Sequence, residues 1–494
     1  MLHTIYTTQT TLTLGMHKAD WLGLTYLLAA VLFYLGLKML SKVTTARRGN
    51  MVSALGMLVA IAATFFQISG GTAISLIWIG IAILIGATAG AMLAVRVPMT
   101  GMPEMVALLN GCGGIASLLV ACGDYLNKYN MSHEINGVVA YIDVLQYAGW
   151  DVLLATGLAT LIGGLTFTGS LVAYAKLAGS KFIPDAPVQF VGQKVLIAVL
   201  LLGSLALAGV LISKPDAWYI LVIVALMALI LGILLVIGIG GADMPVVIAL
   251  LNSYSGIAAS MAGFVLNNSA LIITGALVGA SGIILTNIMC KAMNRSLMNV
   301  LFGGVGGAVA GGGKGPEGEA RAFSIEDASI ILDAARSVII VPGYGMAVAQ
   351  AQHAVKEFAQ QLEDRSIDVK YAIHPVAGRM PGHMNVLLAE ADVPYEQLLD
   401  LEQVNPQFEQ CDVALVIGAN DVTNPAARHD TTSPIYGMPI LDVDKARTVF
   451  VIKRSMNPGF AGIQNELYFT ENTGLIFGDA KKVVSELSTE LAAN

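Results

Sequence analysis

The stretch SVIIVPGYGMAV, residues 337–348, decides the fold of the C-terminal part of this chain. Its first half predicts a short buried strand, because apolar runs rich in β-branched residues are typical of strands enclosed in a sheet. The glycines after Pro342 predict a tight turn. The amphipathic pattern that follows predicts a helix through about Asp364. Strand, glycine turn and helix in this order begin a βαβ unit.

Further strands follow downstream. Apolar runs occur at residues 368–374, 412–417, 448–452 and 474–477, and a last amphipathic helix begins at Asp479. Strands that are joined by helical connections are typical of a parallel sheet. The sequence therefore predicts an α/β domain over residues 320–494, with a doubly wound, Rossmann-like parallel sheet.

The composition of the chain divides it into two parts. Of its 494 residues, 55% are hydrophobic and 12% are charged, whereas soluble domains carry about 25% charged residues. Residues 1–295 hold 13 basic and 9 acidic side chains, and residues 296–494 hold 14 and 25. The first part therefore suits lipid and the second suits water. Because the acidic second part has no basic face, nucleic acid is not expected as a partner.

Nine apolar runs lie in the first part, each near the about 20 residues that cross the core of a bilayer. They predict a polytopic α-helical membrane domain over residues 21–295, preceded by a segment at residues 1–20. The runs cover residues 21–40, 51–68, 73–95, 102–122, 152–177, 195–212, 218–237, 244–266 and 270–289.

A glycine-rich stretch separates the two parts. Residues 303–318 contain nine glycines, and this composition is typical of a flexible tether because it cannot pack a core. We therefore expect a linker over residues 296–319.

The distribution of lysine and arginine predicts the orientation in the membrane. Cytoplasmic connections carry an excess of these residues. With the C-terminal domain in the cytosol, the inner connections hold ten of them and the outer connections three. The sequence thus predicts a multi-pass protein of the cell (inner) membrane, with an external N-terminus and a cytoplasmic C-terminal domain.

The four cysteines show no CxxC spacing. Three of them lie in apolar stretches, where cysteine usually behaves as a small hydrophobic residue. The sequence therefore indicates neither a disulfide framework nor a metal site.

Two of the apolar runs repeat each other. MPEMVALLNGCGGIA at residues 102–116 matches MPVVIALLNSYSGIA at residues 244–258 in nine of 15 positions. Both runs begin at the cytosolic face, and an Asn eight positions past the Met lies roughly 12 Å along a helix. Asn110 and Asn252 are therefore expected at similar depth inside the bilayer.

Two interpretations fit these asparagines. They are either interhelical hydrogen-bonding residues beside small neighbours, or part of a polar path for water or protons that includes Ser253 and Tyr254. Asp243 and Glu104 are expected at the cytosolic ends of the same two helices. Their carboxylates either gate the polar path or cap the helices. Capping is favoured because it requires fewer specific contacts.

The glycine turn has the spacing Gly343-x-Gly345-x-x-Val348 between a predicted strand and a predicted helix. Dinucleotide recognition requires this context, in which the first glycine makes the turn and the second admits a pyrophosphate. Val348 stands where a third glycine is usual. A plain strand–helix turn is the alternative.

Two other stretches of the sequence favour binding of NADP(H) over NAD(H). The second strand ends in Ile373-His374, without the carboxylate that binds the ribose of NAD(H). A later strand ends in Lys453-Arg454-Ser455, which suits a 2′-phosphate, although a solvated basic pair is the alternative. The stretches GAND at residues 418–421 and GRMPGH at residues 378–383 follow strands at the same edge. Their clustering, which includes Gly418, favours one NADP(H) site.

Several long motifs resemble the β subunit of the proton-translocating NAD(P) transhydrogenases. They lie at residues 240–247, 252–256, 289–296, 342–352, 374–391 and 453–457, and the resemblance extends from about residue 20 to the C-terminus. It implies hydride exchange between NADH and NADP+ coupled to inward proton movement. It also implies that NAD(H) binds to a separate α subunit and that the complex is a dimer of α–β units.

The resemblance also implies roles for individual residues. NADP(H) contacts are implied for Gly343, Tyr344, Gly345, Ala347 and Val348, for Arg379 near the pyrophosphate, for Lys453 and Arg454 at the 2′-phosphate, and for a lid at Gly459, Phe460 and Ala461. Asn420 and Asp421 are implied at the loop that senses the membrane part. The resemblance also implies that the nucleotide lies across the sheet in the direction opposite to that in ordinary Rossmann domains. Two departures from the family stand out, since Phe460 replaces a usual tyrosine and Asn110 replaces a frequent membrane histidine.

Direct hydride transfer between nicotinamide rings needs no side-chain acid or base. Lys291 and Arg295, between the last span and the linker, are expected relays or positive-inside anchors. Because asparagine does not titrate, we expect the titrating membrane group on a helix of the partner subunit. A transporter or channel regulated by NADP(H) is the alternative function.

Overall fold

The computed structural model describes residues 18–40, 43–68, 73–134, 148–184, 187–302, 320–459 and 461–493. Within these ranges, nine helices are long and apolar enough to cross a membrane, which confirms the predicted membrane domain. Their bounds are α1 Lys18–Leu40, α2 Val43–Ile68, α3 Ala73–Arg96, α4 Met102–Glu134, α5 Trp150–Leu177, α6 Gln193–Ser213, α7 Trp218–Ile237, α8 Met244–Val265 and α9 Ser269–Ala292.

The chain divides into two compact units. The first comprises residues 1–90 and 267–274, and includes α1 and α2. These two helices approach closely at glycines: a Cβ on Gly49 would lie 2.8 Å from the carbonyl oxygen of Gly36. The hydroxyl of Tyr26 also lies 3.0 Å from the side chains of Thr64 and Gln67. Small residues and partly buried polar contacts thus join this helix pair, as is usual in membranes.

The second unit comprises residues 91–266 and 275–494. Among its membrane helices, α5 is the most deeply enclosed. Glycines on α5 explain how its neighbours come so near. A Cβ on Gly163 would touch the backbone of α4, one on Gly157 would lie 2.7 Å from Ala208 of α6, and one on Gly164 would lie 2.9 Å from Ala228 of α7.

The C-terminal part contains a six-stranded sheet, all parallel, in the order β3-β2-β1-β4-β5-β6. This order confirms the predicted doubly wound, Rossmann-like domain. The three-residue strand β3 was not predicted, because it is too short to show a pattern. The strands are β1 Ser337–Pro342, β2 Asp368–Ile373, β3 Leu398–Asp400, β4 Val413–Ile417, β5 Thr448–Lys453 and β6 Thr473–Phe477.

Helices cover one face of this sheet, and short helices with irregular segments cover the other. The remaining helices are α10 Leu297–Phe302, α11 Ile325–Asp333, α12 Tyr344–Val348, α13 Gln352–Asp364, α14 His383–Glu390, α15 Leu401–Val404, α16 Ala426–His429 and α17 Ala480–Ala493. Most of the predicted linker, residues 303–319, lies outside the described residues, and α10 occupies its beginning.

The predicted amphipathic helix through about Asp364 is confirmed as α13, which ends at Asp364. The preceding glycine turn contains a further short helix, α12, that was not predicted, and the two helices are separated at Gln350, whose φ is +49°. The N–H of Ala351 donates to the carbonyl of Met346, and the N–H of Gln350 to that of Ala347. This is a Schellman motif, and burial of Ala351 and Met346 in the core accompanies it.

Candidate nucleotide-binding site

The crevice for a ligand lies between β1 and β4. After β1 the next strands are added toward one edge of the sheet, and after β4 they are added toward the other edge. The strand order therefore reverses between β1 and β4. Ligands of open α/β sheets bind at such a point. Gly343 follows β1 and Gly418 follows β4. The N–H of Gly343 donates to the carbonyl of Ile417, and that of Gly345 to the carbonyl of Gly418, both at 2.9 Å.

Three glycines allow the two loops to meet backbone to backbone. A Cβ on Gly345 would lie 2.6 Å from the Cα of Gly418, and one on Gly343 would overlap the backbone of Ala419. Gly418 itself has a φ of +66°, in the left-handed region that favours glycine. The glycines of the predicted turn are therefore required by the architecture of the crevice, and they leave a floor of bare backbone.

Two adjoining cavities lie on this floor, of about 440 Å³ and about 280 Å³. Ligand sites typically measure about 300–1,000 Å³, so the pair has room for a dinucleotide. Both cavities are lined by Gly345, Gly418, Ala419, Asn420 and Pro458.

The smaller cavity is mainly basic, since its lining contains two basic residues and one acidic residue, Asp479. Lys453, Arg454 and Ser455 line it, as do Val348 and Tyr468. The buried Nζ of Lys453 has no hydrogen-bond partner in the part of the chain that the structure describes, and it lies 3.7 Å from the ring centroid of Tyr468. Burial lowers the pKa of Lys453 to about 8. A buried cation without a hydrogen-bond partner is costly, so the position of Lys453 suits an anionic group in this cavity.

The larger cavity is lined by Tyr344 and Asp421 and by Gly459 and Ala461 of the predicted lid. The N–H of Ala461 donates to Oδ2 of Asp421 at 3.0 Å. A Cβ on Gly459 would lie 2.7 Å from the other carboxylate oxygen, so only glycine lets the lid backbone approach this closely. Phe460 lies outside the described residues.

One wall of the larger cavity comes from the membrane part. Gly241, Met293 and Arg295 line it. The guanidinium of Arg295 contacts both carboxylate oxygens of Asp243, at 2.9 and 2.8 Å. Asp243 occupies the N-cap position of α8, as predicted, but its side chain accepts no hydrogen bond from the first turn of that helix. Arg295, 52 positions away in sequence, takes the carboxylate instead.

Two of the predicted NADP(H) contacts, Ala347 and Arg379, line neither cavity, and neither does the predicted coupling residue Lys291. Ala347 is buried in the core. Lys291 is exposed at the end of α9. Arg379 directs its guanidinium over the ring of Tyr344, at 4.7 Å from the centroid, and donates to the carbonyl of Leu177 at 2.8 Å.

Two buried histidines shape the loop after β2, and the sequence pattern gave no role to either. Nε2 of His374 lies 2.8 Å from the carbonyl oxygen of Pro439, and Nδ1 of His383 accepts from the N–H of Arg379 at 3.0 Å. Burial lowers the pKa of each to about 4. Both rings are therefore neutral at physiological pH and hold the loop that carries Arg379.

The polar residues of the repeated helices join neighbouring helices. Nδ2 of Asn110 donates to the carbonyl of Ile248 on α8 at 3.3 Å, and Oγ of Ser253 donates to the carbonyl of Gly279 on α9 at 2.7 Å. Asn252 and Tyr254 are half-buried on α8. The two repeats thus pack directly against each other, with Asn110 bonded between them.

These features define a multi-pass membrane protein whose C-terminal domain has the fold and the crevice of a dinucleotide-binding domain. The family model for the NAD(P) transhydrogenase beta subunit matches residues 22–490, and the chain belongs to this family, which confirms the resemblance. Two sequences from Rhodospirillum rubrum, both NAD(P) transhydrogenase subunit beta, are each 50% identical to it over 467 residues. These cover 94% of the chain and 97% of the relatives' length. Membership implies an oxidoreductase of nicotinamide nucleotides, and the name of the subunit implies an alpha partner.

Proposed function

We propose that this chain binds NADP(H) in the crevice and exchanges hydride with NAD(H) on an α subunit, coupled to inward proton movement. The observation that carries the proposal is the buried ammonium of Lys453, which lies beside the smaller cavity without a hydrogen-bond partner among the described residues. Arg454 and Ser455 line the same cavity. A 2′-phosphate, which NAD(H) lacks, supplies the anion that this arrangement suits.

The position of the basic cavity supports reversed polarity of the nucleotide. Ordinary dinucleotide folds bind the adenosine ribose at the end of the second strand, but β2 ends beside His374, which is bonded to Pro439. Lys453 ends β5, on the opposite side of β1. In our proposal the smaller cavity holds the adenosine end, Gly343, Gly345 and Gly418 adjoin the pyrophosphate, and the larger cavity receives the nicotinamide.

The protein's contribution to the reaction is orientation. The bound nucleotide supplies the nicotinamide carbon that gives or accepts hydride directly, so no side chain of this chain acts as acid or base. Asp421 holds the lid backbone through the N–H of Ala461, which fixes one wall of the larger cavity. Holding two reactants in a reactive geometry contributes about 7–11 kcal/mol to catalysis.

Coupling to protons then requires that the crevice and the membrane helices share conformational states. Arg295 supports this, because it lines the larger cavity and pairs with Asp243 at the start of α8. Helix α8 carries Asn252 and packs against Asn110 of α4. We further propose a dimer of α–β units, with the nucleotide domain cytoplasmic and the N-terminus external.

The test uses the full chain with its α subunit in lipid vesicles. We expect NADH to reduce an NADP+ analogue only when both subunits are present, and a pH indicator in the vesicle to respond during turnover. Binding of NADPH without any hydride transfer in the complete complex would instead favour a transporter or channel regulated by NADP(H).

A further inference from the structure

Tyr468 connects the basic cavity to the loop that both cavities share. It lies in a 3-10 turn, Glu466–Phe469, and its side chain is buried. The ammonium of Lys453, at the end of β5, lies over the ring of Tyr468, 3.7 Å from the ring centroid. Its hydroxyl donates to Oδ1 of Asn420 after β4, at 3.1 Å. No sequence motif indicated a role for this residue.

The ring gives Lys453 an interaction that no other group among the described residues provides. The ammonium is buried and makes no hydrogen bond there, so its charged form is disfavoured, and burial lowers its pKa to about 8. The face of an aromatic ring attracts a cation, more strongly when water is excluded. The ring therefore keeps the ammonium at the wall of the cavity.

The position of Tyr468 is itself fixed by buried amides. Nδ2 of Asn465 donates to the carbonyl of Asn420 at 3.0 Å and to the hydroxyl of Thr423 at 3.2 Å. Nδ2 of Asn424 donates to the carbonyl of Gln464 at 3.1 Å. These bonds hold the 3-10 turn against the loop after β4. Because the ring is already in place, little order is lost when a ligand binds.

We infer that Tyr468 is a specificity-determining residue, whose ring holds the Lys453 ammonium in position for the 2′-phosphate of NADP(H). The inference rests on the proposed function, since it assigns a 2′-phosphate to the basic cavity. Tyr468 acts through Lys453 and is a positioning residue. Its effect must therefore appear in the difference between NADPH and NADH binding, because both nucleotides share every other group.

The test is nucleotide titration of the purified full chain in lipid nanodiscs. Tyr468→Leu removes the aromatic face, and we expect the preference for NADPH over NADH to fall about 5- to 30-fold, the range of a desolvated cation–π contact. Tyr468→Phe is the matched control, because it keeps the ring and loses only the hydroxyl. Its preference should stay within about 2-fold of wild type, as the ring remains packed.

A second series of variants tests the same role without the leucine variant, whose smaller side chain leaves a cavity. Phenylalanines with increasing ring fluorination at position 468 keep the shape and weaken only the electrostatic attraction of the ring. We expect NADPH affinity to fall stepwise with each fluorine while NADH affinity stays constant. Equal losses for both nucleotides, or no loss of NADPH affinity, would overturn the role of Tyr468.

The outcomes separate the two proposals. Equal affinity of the wild-type chain for NADPH and NADH would overturn the NADP(H) site itself. A wild-type preference for NADPH that persists through the fluorinated series would leave that site intact and overturn only the inference about Tyr468.

Discussion

Arg379 donates a hydrogen bond from Nη1 to the backbone carbonyl of Leu177, at 2.8 Å. Leu177 is the last residue of α5, the most enclosed membrane helix of its unit. The same guanidinium lies over the ring of Tyr344, which lines the larger cavity. One side chain therefore contacts a residue that lines the crevice and also bonds to a carbonyl in the last turn of α5, where carbonyls have no partner within the helix.

The first prediction concerns Arg379. If it contacts the pyrophosphate, Arg379→Ala removes a charge-assisted contact that NADPH and NADH share. We expect the affinity for both to fall by about 1.5–3 kcal/mol, with little change in the preference between them. Calorimetric titration of the full chain measures this. Arg447→Ala is the control, because the exposed side chain of Arg447 pairs with Asp412 at the amino ends of β4 and β5, away from the crevice. Unchanged affinities would limit Arg379 to the contact with Leu177.

The second prediction concerns the basic pair. Lys453→Ala and Arg454→Ala each remove a charge from the smaller cavity, so each should weaken NADPH binding by about 1.5–3 kcal/mol. NADH binding should remain unchanged because it lacks the 2′-phosphate. Lys445→Ala is a matched control, since Lys445 pairs with Glu409 and Asp442 outside the cavities. A loss of NADH affinity equal to that of NADPH would contradict the assignment of the phosphate.

Features that depend on residues close together in the sequence were predicted, whereas contacts between residues far apart in the sequence were not. Five of the six strands and the membrane spans were predicted because each is a largely apolar run, visible without knowing its neighbours. The partners of Asp243 and Arg379 were not, since Arg295 and Leu177 are 52 and 202 positions away. The short helix α12 was not predicted, because it lies within the glycine turn and its end depends on the burial of Met346 and Ala351 rather than on a glycine. Tyr468 was missed because the role we infer for it depends on its spatial proximity to Lys453, which no sequence motif indicates.

The third prediction is a pH dependence of NADPH binding. The pKa of Lys453 in the free protein is lowered to about 8 by burial, and a bound phosphate favours the charged amine. Above pH 8 the free site loses its proton and must recover it on binding, so NADPH affinity should fall by up to about tenfold per pH unit. NADH affinity should stay level. Calorimetry in buffers of different ionisation enthalpy should detect proton uptake with NADPH alone; binding that is independent of pH between 7 and 10 would contradict this.

The same shift has a consequence for the stability of the nucleotide-free protein. Because the folded-state pKa of Lys453 lies below its ordinary value of 10.5, the unfolded chain binds more protons between about pH 8 and 10.5. The destabilising effect of this lysine is therefore fully present below pH 8 and is relieved as pH rises through that window. Lys453→Met should reduce this component of the pH dependence, which thermal unfolding at a series of pH values measures.

The last prediction concerns the membrane asparagines. Asn110 bonds to the carbonyl of Ile248 and thereby joins the two repeated helices, but asparagine has no proton to exchange between pH 5 and 8. The titrating group is then expected on a helix of the partner subunit, most simply a histidine packed against α4 near Asn110. Asn110→Leu and Asn252→Leu should abolish proton pumping and slow coupled turnover in vesicles, while NADPH affinity stays unchanged.

Ser117→Ala is the matched control on α4, because the hydroxyl of Ser117 donates within its own helix, to the carbonyl of Gly113. If the chain alone, reconstituted without any partner helix, conducts protons in response to NADPH, the carrier lies within residues 1–295 and the proposal is wrong.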